Sequence, residues 1–334
     1  MMMKNDDHPG MVRVLLQLMK LRVVVLLQVT AICAILAHDL LVRYESIPGD
    51  RTWMDTLYTS FITLVGGTLA AGGSNAINMV YDRDIDPGMS RTRTRPIPKG
   101  WISPNAALFF GIVIALIGSG LFLLLHWKAA FWSLFSVVFY VFVYTIWLKR
   151  RTPQNIVIGG AAGATPPVIG WAGAAAASLP DNLNPFDLGS PTPWMLFLLV
   201  FLWTPPHFWA LALYRSGEYG KVGVPMMPDV KGPHHTLKQS KFYCILLLGL
   251  GAVPCFWPGS GLPLIWAFVA GSLTLWYSIS VWKIDPDEPF DEDGRMPKAF
   301  ASFMRSLAYL GLMFITFVLV VAIPPTWLGP LGIL

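Results

Sequence analysis

Two polar stretches interrupt an otherwise apolar sequence, and their residue types and spacing suit chemistry on a phosphorylated substrate. The first reads Asn75-Ala-Ile-Asn78-Met-Val-Tyr-Asp82-Arg83-Asp84-Ile-Asp86-Pro87. Asn78, Asp82 and Asp86 recur every four residues, which on a continuing helix predicts one stripe of oxygen ligands about 12 Å long. Pro87 is expected to end that helix. Carboxylates four apart repel unless a cation neutralises them. Hard oxygen donors of this kind suit Mg²⁺, which keeps waters and shares its coordination with substrate phosphates. Directly after comes Arg91-Thr-Arg93-Thr-Arg95-Pro96-Ile-Pro98-Lys99, a dense run of donors for phosphate oxygens. The second stretch runs from Trp203-Thr-Pro-Pro-His207 through Tyr214-Arg215 to Glu218-Tyr219 and Pro228. His207, Tyr214 and Glu218 fall at i, i+7 and i+11, again one stripe if the helix continues. Polar groups within membrane spans are costly, which makes them functional candidates.

The elements that must carry these groups are membrane spans. Of 334 residues, 54% are hydrophobic and 13% charged, about half the charge of a soluble domain, and the mean hydropathy is +0.56. This excludes a disordered chain. Cys33, Cys244 and Cys255 lack metal-ligand spacing and are read as small apolar residues of membrane helices. Nine apolar runs approach the roughly 20 residues a span requires, at about 23–42, 56–80, 106–125, 129–148, 156–177, 194–213, 242–257, 264–282 and 306–323. The fifth is rich in Gly and Ala and is expected to lie inside the bundle; the seventh is short and carries Pro254. Of the 24 Lys and Arg, all but Arg43, Arg51 and Lys128 fall in alternate connections. By the positive-inside rule the N-terminus is then cytoplasmic and the C-terminus external. The layout is a cytoplasmic segment 1–22, a nine-helix membrane domain 23–323 and a short outer tail 324–334. The net charge of +5 belongs to this topology, so no nucleic-acid partner is expected.

Asn78-x3-Asp82-x3-Asp86, followed by Arg91-Thr-x-x-Arg95-Pro96, resembles the first signature of the intramembrane (UbiA-type) prenyltransferases, and more narrowly of their heme O-forming branch. Tyr144-Thr-Ile-Trp-Leu-Lys149-Arg150, Gly163-Ala-Thr-Pro166-Pro167, Trp203-Thr-Pro-Pro-His207-Phe-Trp209 and Gly223-Val-Pro225-Met-Met-Pro228 agree with it, so the resemblance spans about residues 15–325. It implies an all-α integral membrane protein, nine transmembrane helices in a ring around a central cavity open to the cytoplasm in an inner membrane. It further implies Mg²⁺ on Asn78, Asp82 and Asp86, with Arg83, Arg91, Arg95, Lys99 and Lys149 on the remaining diphosphate oxygens of farnesyl diphosphate. Asp82, Asp86, Glu218 and Tyr219 would carry the catalysis. The acceptor would be a vinyl group of protoheme IX, contacted by His207, Trp203 and Tyr144, with His234 and His235 as rival contacts at the mouth. Heme is then a substrate, and a heme A synthase or terminal oxidase assembly proteins would be partners. Two departures bear on this. The second loop has Glu218-Tyr219 where the branch has Asp-Tyr, and Lys20-Leu21-Arg22 lacks the proline of a common Lys-Pro-Arg step, a position expected to shape only the start of the first helix.

Two rival readings remain at this level. A prenyltransferase of a quinone-precursor aromatic ring would share the same signature. A secondary transporter would instead place ionisable groups near the bilayer midplane on broken helices, whereas here the carboxylates crowd the cytoplasmic ends of the runs.

Overall fold

The computed structural model describes residues 9–215, 217–252, 264–287, 291 and 296–324. Eleven α-helices account for most of them: α1 (Met11–Met19), α2 (Leu21–Arg43), α3 (Trp53–Tyr81), α4 (Pro104–Leu121), α5 (Trp127–Val138), α6 (Asn155–Gly163), α7 (Pro166–Ala174), α8 (Thr192–Tyr214), α9 (Met227–Ala252), α10 (Ile265–Trp282) and α11 (Pro297–Val321). Local chemistry sets several boundaries. Thr52 and Asp55 form a reciprocal capping box at the start of α3. Ser103 caps α4, with Pro104 at its first position. The expected fifth span is two helices, because Pro166 and Pro167 remove the backbone donors a continuous helix needs at that point. Gly232, at φ 81°, and Pro233 kink α9. The expected seventh run extends past Ala252, so its last residues and Pro254 lie outside the described residues.

Seven of the described helices are long and apolar enough to cross a bilayer, taking α5 together with the turns that follow it and α6 with α7. The expected second and seventh spans fall on α3 and α9, which are long helices of more mixed composition. This is a multi-pass membrane protein. Successive helices pack side by side, and α11 returns to both α2 and α8, which closes the array into a ring.

α3 and α4 approach very closely, with small residues facing each other in two layers. A Cβ added at Gly73 would lie 2.4 Å from the Gly111 carbonyl oxygen, and one at Gly118 would lie 2.4 Å from the Ala70 nitrogen. Backbones that meet this closely depend on glycine.

At the opposite end from the polar loops, α2 is pinned to α3 by one buried carboxylate. Asp39 accepts two bonds from Arg51 (3.0 and 3.1 Å), one from Thr56 (2.7 Å) and one from the His38 ring (2.8 Å). Lys128, fully buried, donates to the carbonyl oxygens of Pro180 and Asp187 and to Asn182 Oδ1. Two of the three cations on the sparsely charged side are therefore built into the structure, where their charge is compensated.

Candidate active site

The acidic stripe does not continue as one α-helix. α3 stops at Tyr81, six residues before Pro87, where the stop was expected, and Asp82–Asp84 and Asp86–Gly88 form two short 3₁₀ turns. Repulsion among Asp82, Asp84 and Asp86 works against a regular α-turn, and Pro87 removes a donor. The tighter winding still turns Asp82 and Asp86 inward: their exposures are 1% and 0%. These carboxylates lie in the protein interior.

Each acidic or amide group carries its own cation. Lys20 Nζ donates to Asn78 Oδ1 (3.0 Å), and Asn78 Nδ2 donates to Thr145 Oγ1 (3.2 Å). Lys149 pairs with Asp82 Oδ2. Arg95 Nη1 bonds both oxygens of Asp86, at 2.7 and 2.9 Å. Arg150 forks onto Asp84 at 2.6 and 2.7 Å. Burial raises the Asp86 carboxyl above the usual carboxylate range against the pull of Arg95. The hydrogen bond from Arg150 holds exposed Asp84 below that range. Burial and then the neighbouring Arg95 lower the Lys20 ammonium to about 7.

Lys20 was missed as a site residue. It sits in the left-handed region (φ 51°, ψ 49°), at the corner where α1 ends and α2 begins. A lysine there carries a backbone cost, and the result is an ammonium delivered to Asn78. Nothing in the local sequence signals this, because the αL corner depends on where α1 packs. Arg150 and Thr145 were also missed. Their signal was adjacency to Lys149 within the matching Tyr144–Arg150 stretch. A π-helix over Phe139–Leu148 widens the backbone there, a feature frequent at functional sites. It directs Thr145 at Asn78 and stacks Tyr144 on Tyr140 (5.3 Å between centroids). Gly159 makes room for the Tyr144 ring, since a Cβ there would lie 2.3 Å from it.

The second polar loop folds onto the first. α8 ends at Tyr214, so Glu218 is not on the helix that bears His207, and the single stripe inferred from spacing is broken. Instead Ser90 donates to Glu218 Oε1 (3.0 Å), Arg215 pairs with Glu218 (3.4 Å) and Arg91 reaches the Tyr219 hydroxyl (3.5 Å). Tyr144 and Tyr219 pack against an apolar cluster that includes Ile85, Met89 and Ala212. Asp229 accepts from the Gly217 amide and so ties the loop to itself.

The structure thus brings together Asn78, Asp82, Asp86, Arg95, Lys149, Arg91, Glu218, Tyr219 and Tyr144. Others stand apart. Arg83 is exposed and donates to the Val80 carbonyl, and Lys99 is exposed with no side-chain partner among the described residues. His207 is stacked between Trp203 and Phe303 (4.2 and 4.7 Å) and bonds Ser306 through Nδ1. Trp203 donates to the Ser306 carbonyl. Both side chains tie α8 to α11, so their geometry is that of packed, satisfied groups. His234 is exposed and pairs with Asp287.

No group of three His, Cys, Asp or Glu side chains is preassembled for a metal among the described residues. The donors nevertheless suit Mg²⁺, which needs only one or two protein carboxylates and takes the rest from water and phosphate. Asp82 Oδ1 is buried and has no hydrogen-bond partner, with the Arg150 guanidinium 4.0 Å away, so the oxygen keeps a lone pair for a further donor or cation.

Residues 32–307 match the UbiA prenyltransferase family. The chain belongs to that family. A protoheme IX farnesyltransferase of Bartonella tribocorum is 43% identical over 258 residues, covering 76% of this chain and 77% of its own. One from Rhizobium meliloti is 43% identical over 274 residues, covering 81% and 82%. Among solved structures, digeranylgeranylglyceryl phosphate synthase superposes with a TM-score of 0.69 at 15% identity, covering 93% of this chain and 98% of its own. A UbiA homolog from Archaeoglobus fulgidus bound to DMAPP and Mg²⁺ gives 0.62 at 15% identity, covering 92% and 98%. At such identity these neighbours speak for the UbiA fold alone.

Proposed function

We propose that the protein transfers the farnesyl group of farnesyl diphosphate to a vinyl group of protoheme IX, with addition of water, giving heme O and diphosphate. The observation that carries this reading is the buried Asp82–Asp86 cluster with Lys20, Lys149 and Arg95 on it, in a chain 43% identical to protoheme IX farnesyltransferases over three quarters of its length. Asn78, Asp82 and Asp86 would hold Mg²⁺, which would supply neutralisation of the charge that develops on the departing diphosphate. Lys20, Lys149, Arg95 and Arg91 supply hydrogen bonds to the phosphate oxygens, worth most where water is excluded. Tyr144 and Tyr219 present aromatic faces near the allylic carbon, where positive charge develops. The terminal vinyl carbon forms the new C–C bond as the C–O bond to diphosphate breaks. Water then adds to the cation beside the pyrrole ring and loses its proton, leaving a hydroxyl. Glu218, held by Arg215 and Ser90, adds a further carboxylate from the second polar loop. The chain spans the inner membrane nine times, N-terminus in the cytoplasm, and the abundance of Lys and Arg in alternate connections supports that orientation.

Membranes containing the protein, given labelled farnesyl diphosphate and Mg²⁺, test the reading when heme and a quinone-precursor aromatic acid are offered side by side. Label is expected in the heme fraction alone. Label in the aromatic acid would overturn it.

A further inference from the structure

A partly open cavity runs along α3, beginning at Ser74 one turn from the polar site. Its α3 wall follows one face, from Ser74 past Ala70 and Gly67 to Thr63, and Asn78 continues that face one turn nearer the mouth. Across it stands Gln28 of α2, whose Nε2 donates to the Leu64 carbonyl (3.2 Å) and to Thr68 Oγ1 (3.1 Å). The carboxamide therefore lines the cavity at the level of Gly67. A Cβ added at Gly67 would lie 2.7 Å from Gln28 Nε2, so a side chain there would push the carboxamide aside. Ala31, Thr63, Phe122 and Ile169 line the same cavity.

We propose that the Gln28–Gly67 contact is the stop that sets the isoprenoid length the protein accepts, an inference that rests on the prenyl-transfer reading above. From Asn78 to Gly67 is eleven residues, about 16 Å of helix axis at 1.5 Å per residue. A farnesyl chain has twelve main-chain carbons and extends about 14 Å at bond lengths near 1.5 Å. With its diphosphate at the Asn78 end, its last isoprene unit meets Gln28. A chain one unit longer must displace Gln28 from both hydrogen bonds, and a chain one unit shorter leaves the space above Gly67 unfilled. Pocket-size discrimination of this kind yields rate ratios of roughly 10–200-fold per group that does not fit.

The test compares heme prenylation with the C10, C15 and C20 diphosphates in purified protein. The unaltered protein should prefer C15 to C20. Gln28→Ala should raise the C20-to-C15 rate ratio about tenfold or more while still using C15. Gln28→Leu, which keeps the bulk and loses both hydrogen bonds, should raise that ratio less than Gln28→Ala does. Gly67→Ala pushes the stop toward the mouth and should raise the C10-to-C15 ratio; it reads the same contact from α3 if Gln28→Ala does not fold. An unchanged C20-to-C15 ratio in Gln28→Ala, an unchanged C10-to-C15 ratio in Gly67→Ala, or equal use of C15 and C20 by the unaltered protein overturns the proposal. No heme prenylation with any chain length would instead overturn the function on which it rests.

Discussion

Asp82 and Asp86 are held by different cations. Asp82 pairs with Lys149 through Oδ2 and has Arg150 4.0 Å from Oδ1, whereas both oxygens of Asp86 accept from Arg95. Asp82→Asn and Asp86→Asn are each expected to abolish transfer, at least about 10²–10³-fold. Each should also lower stability by about 1–3 kcal/mol, because the partly buried Lys149 or Arg95 loses its counter-charge. Thermal unfolding in detergent measures that loss in both variants. Glu218 is half-exposed, and its role is tested by length against charge: Glu218→Asp should keep much of the activity and Glu218→Gln little. The reverse order in steady-state rates would mean that its bond from Ser90 matters more than its charge. The members of the Asp motif were legible because their spacing is local. Their burial was not, since it depends on the 3₁₀ turns and on cations from α1, the π-helical stretch and the loop itself.

At the scale of elements, the apolar runs located helices well, and the Gly- and Ala-rich run 156–177 lies inside the bundle as its composition implied, with a Cβ at Gly170 only 2.4 Å from the Ala31 carbonyl oxygen of α2. Composition did not signal the equally close approach of α3 and α4 at Gly66, Gly73, Gly111 and Gly118. A run's composition says that close approach is allowed; only the partner's register shows where it occurs. Gly118→Ala should therefore destabilise the protein by about 1–3 kcal/mol through overpacking against backbone that cannot yield. Gly163→Ala should be near neutral sterically, because nothing lies within 4 Å of a Cβ there. Unfolding temperatures of the two variants, measured side by side, check the contrast. The break between α6 and α7 could have been read from Pro166-Pro167. The amphipathic α1, which seats Lys20, escaped notice because nine residues are too few to resemble a span.

For the whole molecule, orientation is the first thing to fix. Cysteines placed at Thr94 and Leu183, both exposed, in a protein whose native cysteines are replaced by Ala, should react from opposite sides of sealed inner-membrane vesicles, Thr94 from the cytoplasmic face. Reaction of both from one face would contradict the proposed topology. The ring closed by α11 on α2 and α8 follows from long-range packing and was expected only through the family resemblance; apolar periodicity gives spans, not their neighbours.

The account stands or falls on prenyl transfer at the Asp82–Asp86 cluster. The most direct test is the mass of heme recovered after purified protein is incubated with farnesyl diphosphate, protoheme IX and Mg²⁺. The account predicts heme heavier by one farnesyl group plus one hydroxyl, formed by the unaltered protein and lost in Asp82→Asn and on chelation of the metal. Unmodified heme throughout, or full product in Asp82→Asn, would contradict it.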